Sequence, residues 1–226
     1  MSVLLLVRHG QASFGARNYD ELSDRGRAQS RLLGGALAAH GIHPDRVVHG
    51  GMHRHEQTVE GMLDAAGWSV APTIDVGWAE FDHQQVIAAH RPAYRRPTVM
   101  KADLVRTLKP HRAFQKMFLE ATSRWSSGEH DSDYRETFVG FGERVDAALR
   151  RAAEAEGTTV VVTSGGCIGL IASHLITNSV DAWSRLNVVT VNTAVTKVVV
   201  GDEGPTLISF NNHSHLEHDP DLITYR

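Results

Sequence analysis

Short apolar runs alternate along the chain with stretches in which apolar residues recur every three to four positions. Residues 3–7 form an unbroken apolar run, which is typical of a strand buried on both faces of a parallel sheet. A helix is predicted to begin at Ser23 or Asp24 and to end near Gly41, and a second helical stripe ends at Gly67. Strands and helices therefore alternate, which favours an α/β fold.

The second half of the chain returns to this alternation after a looser middle segment. Prolines interrupt the periodicity between about 77 and 135, and this segment is predicted to be a helical insertion or lid. Residues 159–163 predict a β-branched strand that leads into an apolar helix, and two late strands are predicted to pair as a hairpin through 202–205. We therefore predict one domain over 1–226, a three-layer α/β/α sandwich with a mostly parallel central sheet.

Composition and charge limit the classes of function. The 226 residues are 42% hydrophobic and 22% charged, which is ordinary for a globular protein with one sizeable core. A net charge of -3 without long runs of like charge argues against nucleic acid as a partner. Cys167 is the only cysteine, and the apolar opening is too short for a membrane span or a secretory signal. We expect a protein of the reducing cytoplasm without a membrane partner, and the sequence does not indicate its oligomeric state.

The strongest chemical signal lies where the first predicted strand ends, at Arg8, His9 and Gly10. A neutral imidazole can attack phosphorus, an adjacent guanidinium can bind phosphate oxygens with paired donors, and glycine allows close approach of the backbone. The carboxyl end of a parallel strand is also where α/β proteins bind their ligands. Gln11 and Ser13 follow directly and are candidates for contacts with phosphate or substrate, with a solvated polar loop as the alternative.

Further motifs follow in a fixed order downstream of the tripeptide. They are Leu22-Ser23 with Gly26 and Gln29, and then Arg54 with Gln57-Thr58. In these motifs and in the order in which they occur, the chain resembles the histidine phosphatase superfamily, also called phosphoglycerate mutase-like. The resemblance runs from the first strand to Phe210. The resemblance implies a phosphoryl group carried on His9 and a phosphate bound by Arg8 and Arg54.

The resemblance also implies a group that transfers protons at the start of the insertion. A leaving alkoxide must receive a proton, and the water that later hydrolyses the phosphohistidine must lose one, so one carboxyl group can serve both steps. Glu80 stands at the implied position, and Asp82 is a rival for the role. A solvated loop carboxylate is the alternative interpretation for either residue.

The main departure from the family pattern is Ser164, at the position where the family usually has a second histidine. That histidine adds a cationic donor to the phosphate oxygens, whereas serine has one neutral hydroxyl. Gly165 and Gly166 remain, so backbone N–H groups at a helix start can still face an anion. Another imidazole can replace the missing one, and His83 is the candidate nearest to the acid motif, with a solvated lid histidine as the alternative.

Three functions follow as alternatives. The first is a phosphomonoester hydrolase that acts through phospho-His9 on a small phosphorylated substrate and is slowed by Ser164. The second is a phosphate-ligand-binding module without efficient turnover. The third, a phosphoglycerate mutase, is disfavoured because Gly15 stands where mutases of the family have asparagine and Asn18 comes three residues later. No cofactor and no metal are expected, since neither of the two histidine clusters has a ligand pattern with supporting carboxylates; they are His49, His53 and His55, and His213, His215 and His218.

Overall fold

A single six-stranded sheet forms the centre of the part of the chain that the computed structural model describes, residues 1–13 and 20–225 without the His111 side chain. Its strands are β1 Ser2–Arg8, β2 Arg46–His49, β3 Pro72–Ile74, β4 Gly157–Thr163, β5 Val195–Gly201 and β6 Gly204–Asn212. Their spatial order is β3-β2-β4-β1-β5-β6. The pairs among β1 to β4 are parallel, and β5 runs antiparallel to both β1 and β6. The prediction of a mostly parallel sheet is confirmed.

Eight α-helices accompany these strands within the described residues. They are α1 Asp24–Ala39, α2 His53–Ala66, α3 His83–His90, α4 Pro97–Val105, α5 Pro110–Ser126, α6 Phe138–Ala153, α7 Gly165–Thr177 and α8 Trp183–Val189. Consecutive residues 4–7 of β1 are all buried, so both faces of the sheet are covered, as the α/β/α prediction requires. None of the described helices is both long and apolar enough to cross a membrane.

Local signals set the ends of α1 and α2 as the sequence predicts. The Ser23 hydroxyl accepts a hydrogen bond from the Gly26 N–H and caps the first turn of α1. Gly67 follows α2 with φ +67°, in the left-handed conformation that glycine adopts without steric cost. On one face of the sheet, Leu33 of α1 and Met62 of α2 pack into a buried cluster with strand residues such as Val7. The apolar stripes therefore place both helices over the strand that carries the candidate histidine.

The contacts of the chain separate two compact units. The first comprises Met1–Glu80 and Val145–Arg226, and the second is Phe81–Arg144. The predicted insertion, about 77–135, overlaps the second unit, and the single-domain organisation stays a prediction. Within the second unit α4 begins at Pro97 and α5 at Pro110. Proline is well tolerated in a first helical turn, whose N–H groups have no partner inside the helix. The prolines that interrupt the sequence pattern therefore begin helices in the structure.

Two adjacent glycines of α1 provide a matched test of how α1 and α2 pack. A Cβ atom on Gly34 would overlap the Met62 carbonyl oxygen of α2, whereas a Cβ on Gly35 would meet nothing within 4 Å. We expect Gly34→Ala to lower the free energy of unfolding by about 1–3 kcal/mol, because the helices must separate. Gly35→Ala should raise it by about 1 kcal/mol through helix propensity alone. Urea unfolding of both variants measures the difference, and equal effects would contradict this packing.

Candidate active site

The backbone around His9 is held from two neighbouring segments at the carboxyl edge of the sheet. The His9 N–H donates to the Thr163 carbonyl at 2.9 Å, so the chain that leaves β1 stays beside the end of β4. The Asn192 side chain donates from Nδ2 to the His9 carbonyl, also at 2.9 Å. Asn192 is fully buried, and sequence reasoning did not identify it. These bonds fix the position of the histidine before any ligand binds.

Gly10 allows α1 and α2 to approach the end of β1. A Cβ atom on Gly10 would lie 2.5 Å from the Gly26 carbonyl oxygen, closer than real side chains come to backbone. The Gly10 N–H donates to Thr58 Oγ1 at 3.0 Å, and that hydroxyl donates to the Arg54 carbonyl at 2.7 Å. The glycine of the tripeptide therefore joins β1 to the helix that carries Arg54.

The contacts of the His9 imidazole define which of its nitrogens can react. Nδ1 lies 2.7 Å from the Gly10 carbonyl oxygen, and because that oxygen can only accept, Nδ1 carries the proton. Nε2 then has a lone pair, and it accepts a hydrogen bond from Arg54 Nε at 3.1 Å. Burial lowers the pKa of His9 well below its usual value, and the nearby Arg54, His55 and Arg8 lower it further. The contacts therefore place the single ring proton on Nδ1 and direct the Nε2 lone pair at the Arg54 guanidinium, and the lowered pKa favours the neutral imidazole.

A pH profile tests this assignment. Only a neutral imidazole can act as a nucleophile, and a lowered pKa keeps His9 neutral in more acidic solution. We expect the acid limb of kcat/KM, corrected for the ionisation of the substrate phosphate, to lie well below pH 6.5, the ordinary value for histidine. Arg54→Ala should move that limb to higher pH, because one positive charge next to the imidazole is removed. An acid limb at or above pH 6.5 in the wild type would contradict the assignment.

Arg54 lies on the first turn of α2, and its side chain is buried. Its Nη1 forms an ion pair of 2.6 Å with Asp20 Oδ1, and the other oxygen of Asp20 accepts from the His53 N–H at 2.9 Å. Asp20 thus links the start of α2 to the guanidinium, a contact that no sequence signal indicated. An anion bound by Arg54 would share the guanidinium with this carboxylate.

Arg8 is also buried and approaches the start of α7. Its guanidinium donates from Nη1 to the Thr190 carbonyl, and its Nε lies 3.6 Å from where a Cβ on Gly165 would stand. A Cβ on Gly165 would first overlap Asn187 Oδ1 of α8, at 2.7 Å, so the missing side chain allows α7 to begin close to α8 and Arg8. Both predicted arginines lie close enough to His9 for their positive charges to lower its pKa.

The two candidate carboxylates have different surroundings. Glu80 Oε2 accepts from the Gly166 N–H at 3.0 Å, in the first turn of α7, where the helix dipole stabilises negative charge. Asp82 instead caps α3 through a 3.0 Å bond from the Gln85 N–H, inside the second unit. His83 is the first residue of that same helix. The structure thus brings Glu80 to the helix that follows Ser164.

Gln11 and Ser13, the predicted polar contacts, have partners around the start of α1. Gln11 Oε1 accepts from the Ser23 hydroxyl at 2.9 Å, and the Ser13 N–H donates to the Glu21 carbonyl at 2.7 Å. Their contacts with a ligand stay predictions. Gly15 and Asn18, on which the argument about mutases rests, lie outside the described residues.

His55 is a buried residue of this region that sequence reasoning considered only as part of a metal cluster. Its ring centroid lies 5.5 Å from that of His9, and its Nε2 lies 2.8 Å from Ser164 Oγ. In the part of the chain that the structure describes, no group of three or more His, Cys, Asp or Glu side chains is placed to bind a metal ion. The one sequence signal that could have identified His55 is its position directly after Arg54.

Fold and site together define an α/β protein with a neutral histidine between two buried arginines at the end of its first strand. The chain belongs to the histidine phosphatase superfamily (branch 1), whose family model matches residues 4–96 and 106–213. No curated protein matches the sequence significantly.

Similar solved structures agree with this assignment of the fold. Phosphoserine phosphatase from Entamoeba histolytica in complex with 3-phosphoglyceric acid has a TM-score of 0.66 and 16% identity over 96% of this chain and 100% of that chain. Phosphoglycerate mutase from Bacillus anthracis has a TM-score of 0.64 and 16% identity over 96% of this chain and 95% of that chain. A mycobacterial glucosyl-3-phosphoglycerate phosphatase with inorganic phosphate has a TM-score of 0.58 and 19% identity, over 94% and 98% of the two chains. At these identities the likeness concerns the fold alone.

Proposed function

We propose that this protein is a phosphomonoester hydrolase that transfers the substrate's phosphoryl group first to Nε2 of His9 and then to water. The observation that carries the proposal is the state of His9, a buried neutral imidazole whose Nδ1 donates to Gly10 and whose lone pair on Nε2 faces the Arg54 guanidinium. A phosphate bound to that guanidinium would bring phosphorus close to Nε2. Membership in a superfamily of phosphatases and mutases supports phosphoryl transfer as the class of reaction.

Two chemical steps follow from this arrangement. In the first, Nε2 of His9 forms a bond to phosphorus while the ester P–O bond breaks. The leaving oxygen takes a proton from Glu80, because the negative charge of a bound phosphate ester favours the protonated carboxyl over the carboxylate that the start of α7 stabilises in the free site. In the second, water attacks the phosphohistidine, Glu80 takes a proton from that water, and the P–N bond breaks to release phosphate. Arg8 and Arg54 hold the phosphate oxygens and balance their charge, so positioning and electrostatics supply most of the catalysis.

The alternative of a binding module is supported by Ser164, which gives the site a neutral hydroxyl in place of a cationic donor. Both functions require phosphate to bind near Arg8 and Arg54, and they differ in turnover. Phosphate release from a panel of small phosphomonoesters, measured with a chelator present, is the experiment that distinguishes them. The hydrolase is supported by multiple turnovers on at least one ester. Phosphate binding measured by calorimetry, without turnover on any ester, would support the binding module instead.

A further inference from the structure

A second buried imidazole stands next to the proposed nucleophile. In the parallel pairing of β1 with β4, Arg8 is opposite Thr163, so His9 and Ser164 are the next residues on the two neighbouring strands. His55 of α2 is fully buried and lies next to both residues. Its Nε2 is 2.8 Å from Ser164 Oγ, and its ring centroid is 5.5 Å from that of His9. The reaction described above assigns no role to it.

The surroundings of His55 indicate which of its nitrogens carries the proton. Its Nδ1 is buried and has no hydrogen-bond partner among residues 1–13 and 20–225. A buried N–H without a partner is rarer and costs more than an acceptor left unfilled. The proton therefore lies on Nε2, and the imidazole donates to Ser164 Oγ. Burial lowers the pKa of His55 well below its usual value, with Arg54 and His49 lowering it further, so the ring has this one proton.

The orientation of Ser164 follows from this donation. Ser164 is the N-cap residue of α7, yet its side chain makes no capping hydrogen bond, although serine at this position usually accepts from the first turn. Glu80 accepts from the Gly166 N–H in that turn instead. Since Ser164 Oγ accepts from His55 and has no second partner in the described chain, its own hydroxyl hydrogen is left to donate.

We propose that Ser164 donates this hydroxyl to an oxygen of the transferring phosphoryl group and that His55 is the positioning residue that orients and polarises it. The inference rests on the proposed function. A hydroxyl that accepts one hydrogen bond becomes a better donor in the next, and a buried donor aimed at a developing negative charge lowers the barrier. Two side chains from different elements, one on α2 and one after β4, thus supply the donor that the family resemblance assigns to a single histidine.

Two substitutions that differ by one methylene test the pair. The amide nitrogen of His55→Gln reaches about as far as imidazole Nε2 and can still donate to Ser164, whereas that of His55→Asn is too short. We expect His55→Asn to lower kcat about tenfold or more with little change in KM, the size of one lost hydrogen bond in the transition state. His55→Gln should stay within about threefold of the wild type. Ser164→Ala should lower kcat by about 10²–10³, as expected for a removed donor.

The decisive comparison repeats both His55 variants in the Ser164→Ala background. If His55 acts through Ser164, the difference between the Asn and Gln variants disappears there, because the hydroxyl that they orient is gone. If the difference persists, or if it follows the melting temperatures of the variants, His55 has only a structural role and the inference is overturned. A loss in His83→Asn that disappears in the same background would assign the partner to His83 and would also overturn it.

The same measurements separate this inference from the proposed function. His9→Ala is assayed in parallel on the same ester. Turnover by that variant would remove the proposed reaction itself. An inactive His9→Ala together with equal kcat values for the His55→Asn and His55→Gln variants would leave the reaction in place and remove only the role of His55.

Discussion

His9→Ala is expected to lower kcat for phosphomonoester hydrolysis by at least about 10⁴-fold, because the substitution removes the atom that forms the bond to phosphorus. The remaining site still has two arginines and the start of α7 for binding phosphate. The affinity for inorganic phosphate, measured by calorimetry, should therefore fall much less than kcat. Such a separation of binding from turnover is the signature of a lost nucleophile.

His40→Ala is a matched control, since His40 is an exposed histidine just after the last turn of α1, and among the described residues its side chain bonds only to that helix. It should retain the kinetics of the wild type. The melting temperature of His9→Ala shows whether that variant is folded. We expect it to fold, because Asn192 bonds to the backbone carbonyl of residue 9, which the substitution leaves in place. Undiminished phosphate release by a folded His9→Ala would exclude His9 as the phosphoryl acceptor.

Arg54→Ala is expected to lower kcat/KM by about 10²–10³-fold. Hydrogen bonds from a guanidinium to phosphate each contribute about 1.5–3 kcal/mol, and the planar side chain can form two of them. Arg54→Lys should recover only part of the loss, since an ammonium group keeps the charge without the paired geometry. Steady-state kinetics on one ester give kcat/KM for the wild type, Arg54→Ala and Arg54→Lys.

The melting temperature provides a second test, of whether Arg54 is a buried residue held in an ion pair. The guanidinium is buried and forms the ion pair with Asp20, so its removal takes away a charge-assisted hydrogen bond and should lower the melting temperature. Arg150→Ala is the control, because Arg150 forms an exposed ion pair with Asp146 in the preceding turn of α6, a type of pair that contributes little. If the two alanine variants matched each other in both kinetics and stability, Arg54 would behave as a surface residue.

The elements predicted best are those whose signals are local. The apolar run of β1, the Ser23 cap of α1 and the glycine after α2 each depend on residues within a few positions. β3 was not predicted, because it has three residues, all of them exposed, and therefore shows no alternation of buried and exposed positions. α8 has seven residues, about two turns, which is too short for a helical period to stand out in the sequence.

The prediction of the site was limited in the same way, because only residues close together in sequence gave a signal. Arg8 and His9 are adjacent in sequence, and the structure places Arg54 against the same imidazole, as the order of the motifs led us to expect. The contacts of His55 with Ser164 and of Asn192 with His9 join residues more than 100 positions apart. No periodicity connects such pairs, and only the register of β1 with β4 brings Ser164 beside His9. Sequence therefore indicated the groups that we propose to react, whereas the residues that contact them from distant parts of the chain required the fold.

The most direct test of the account is detection of the phosphohistidine itself. An ester that is hydrolysed by the wild type is mixed with the enzyme, the reaction is stopped within milliseconds in alkali, which preserves phosphohistidine, and the peptides are analysed by mass spectrometry. The account predicts a phosphoryl group on the peptide that contains His9, attached to that residue and absent from His9→Ala. Steady turnover with no phosphorylated peptide, together with inversion of configuration at a chiral phosphorus, would show direct attack by water and would contradict it.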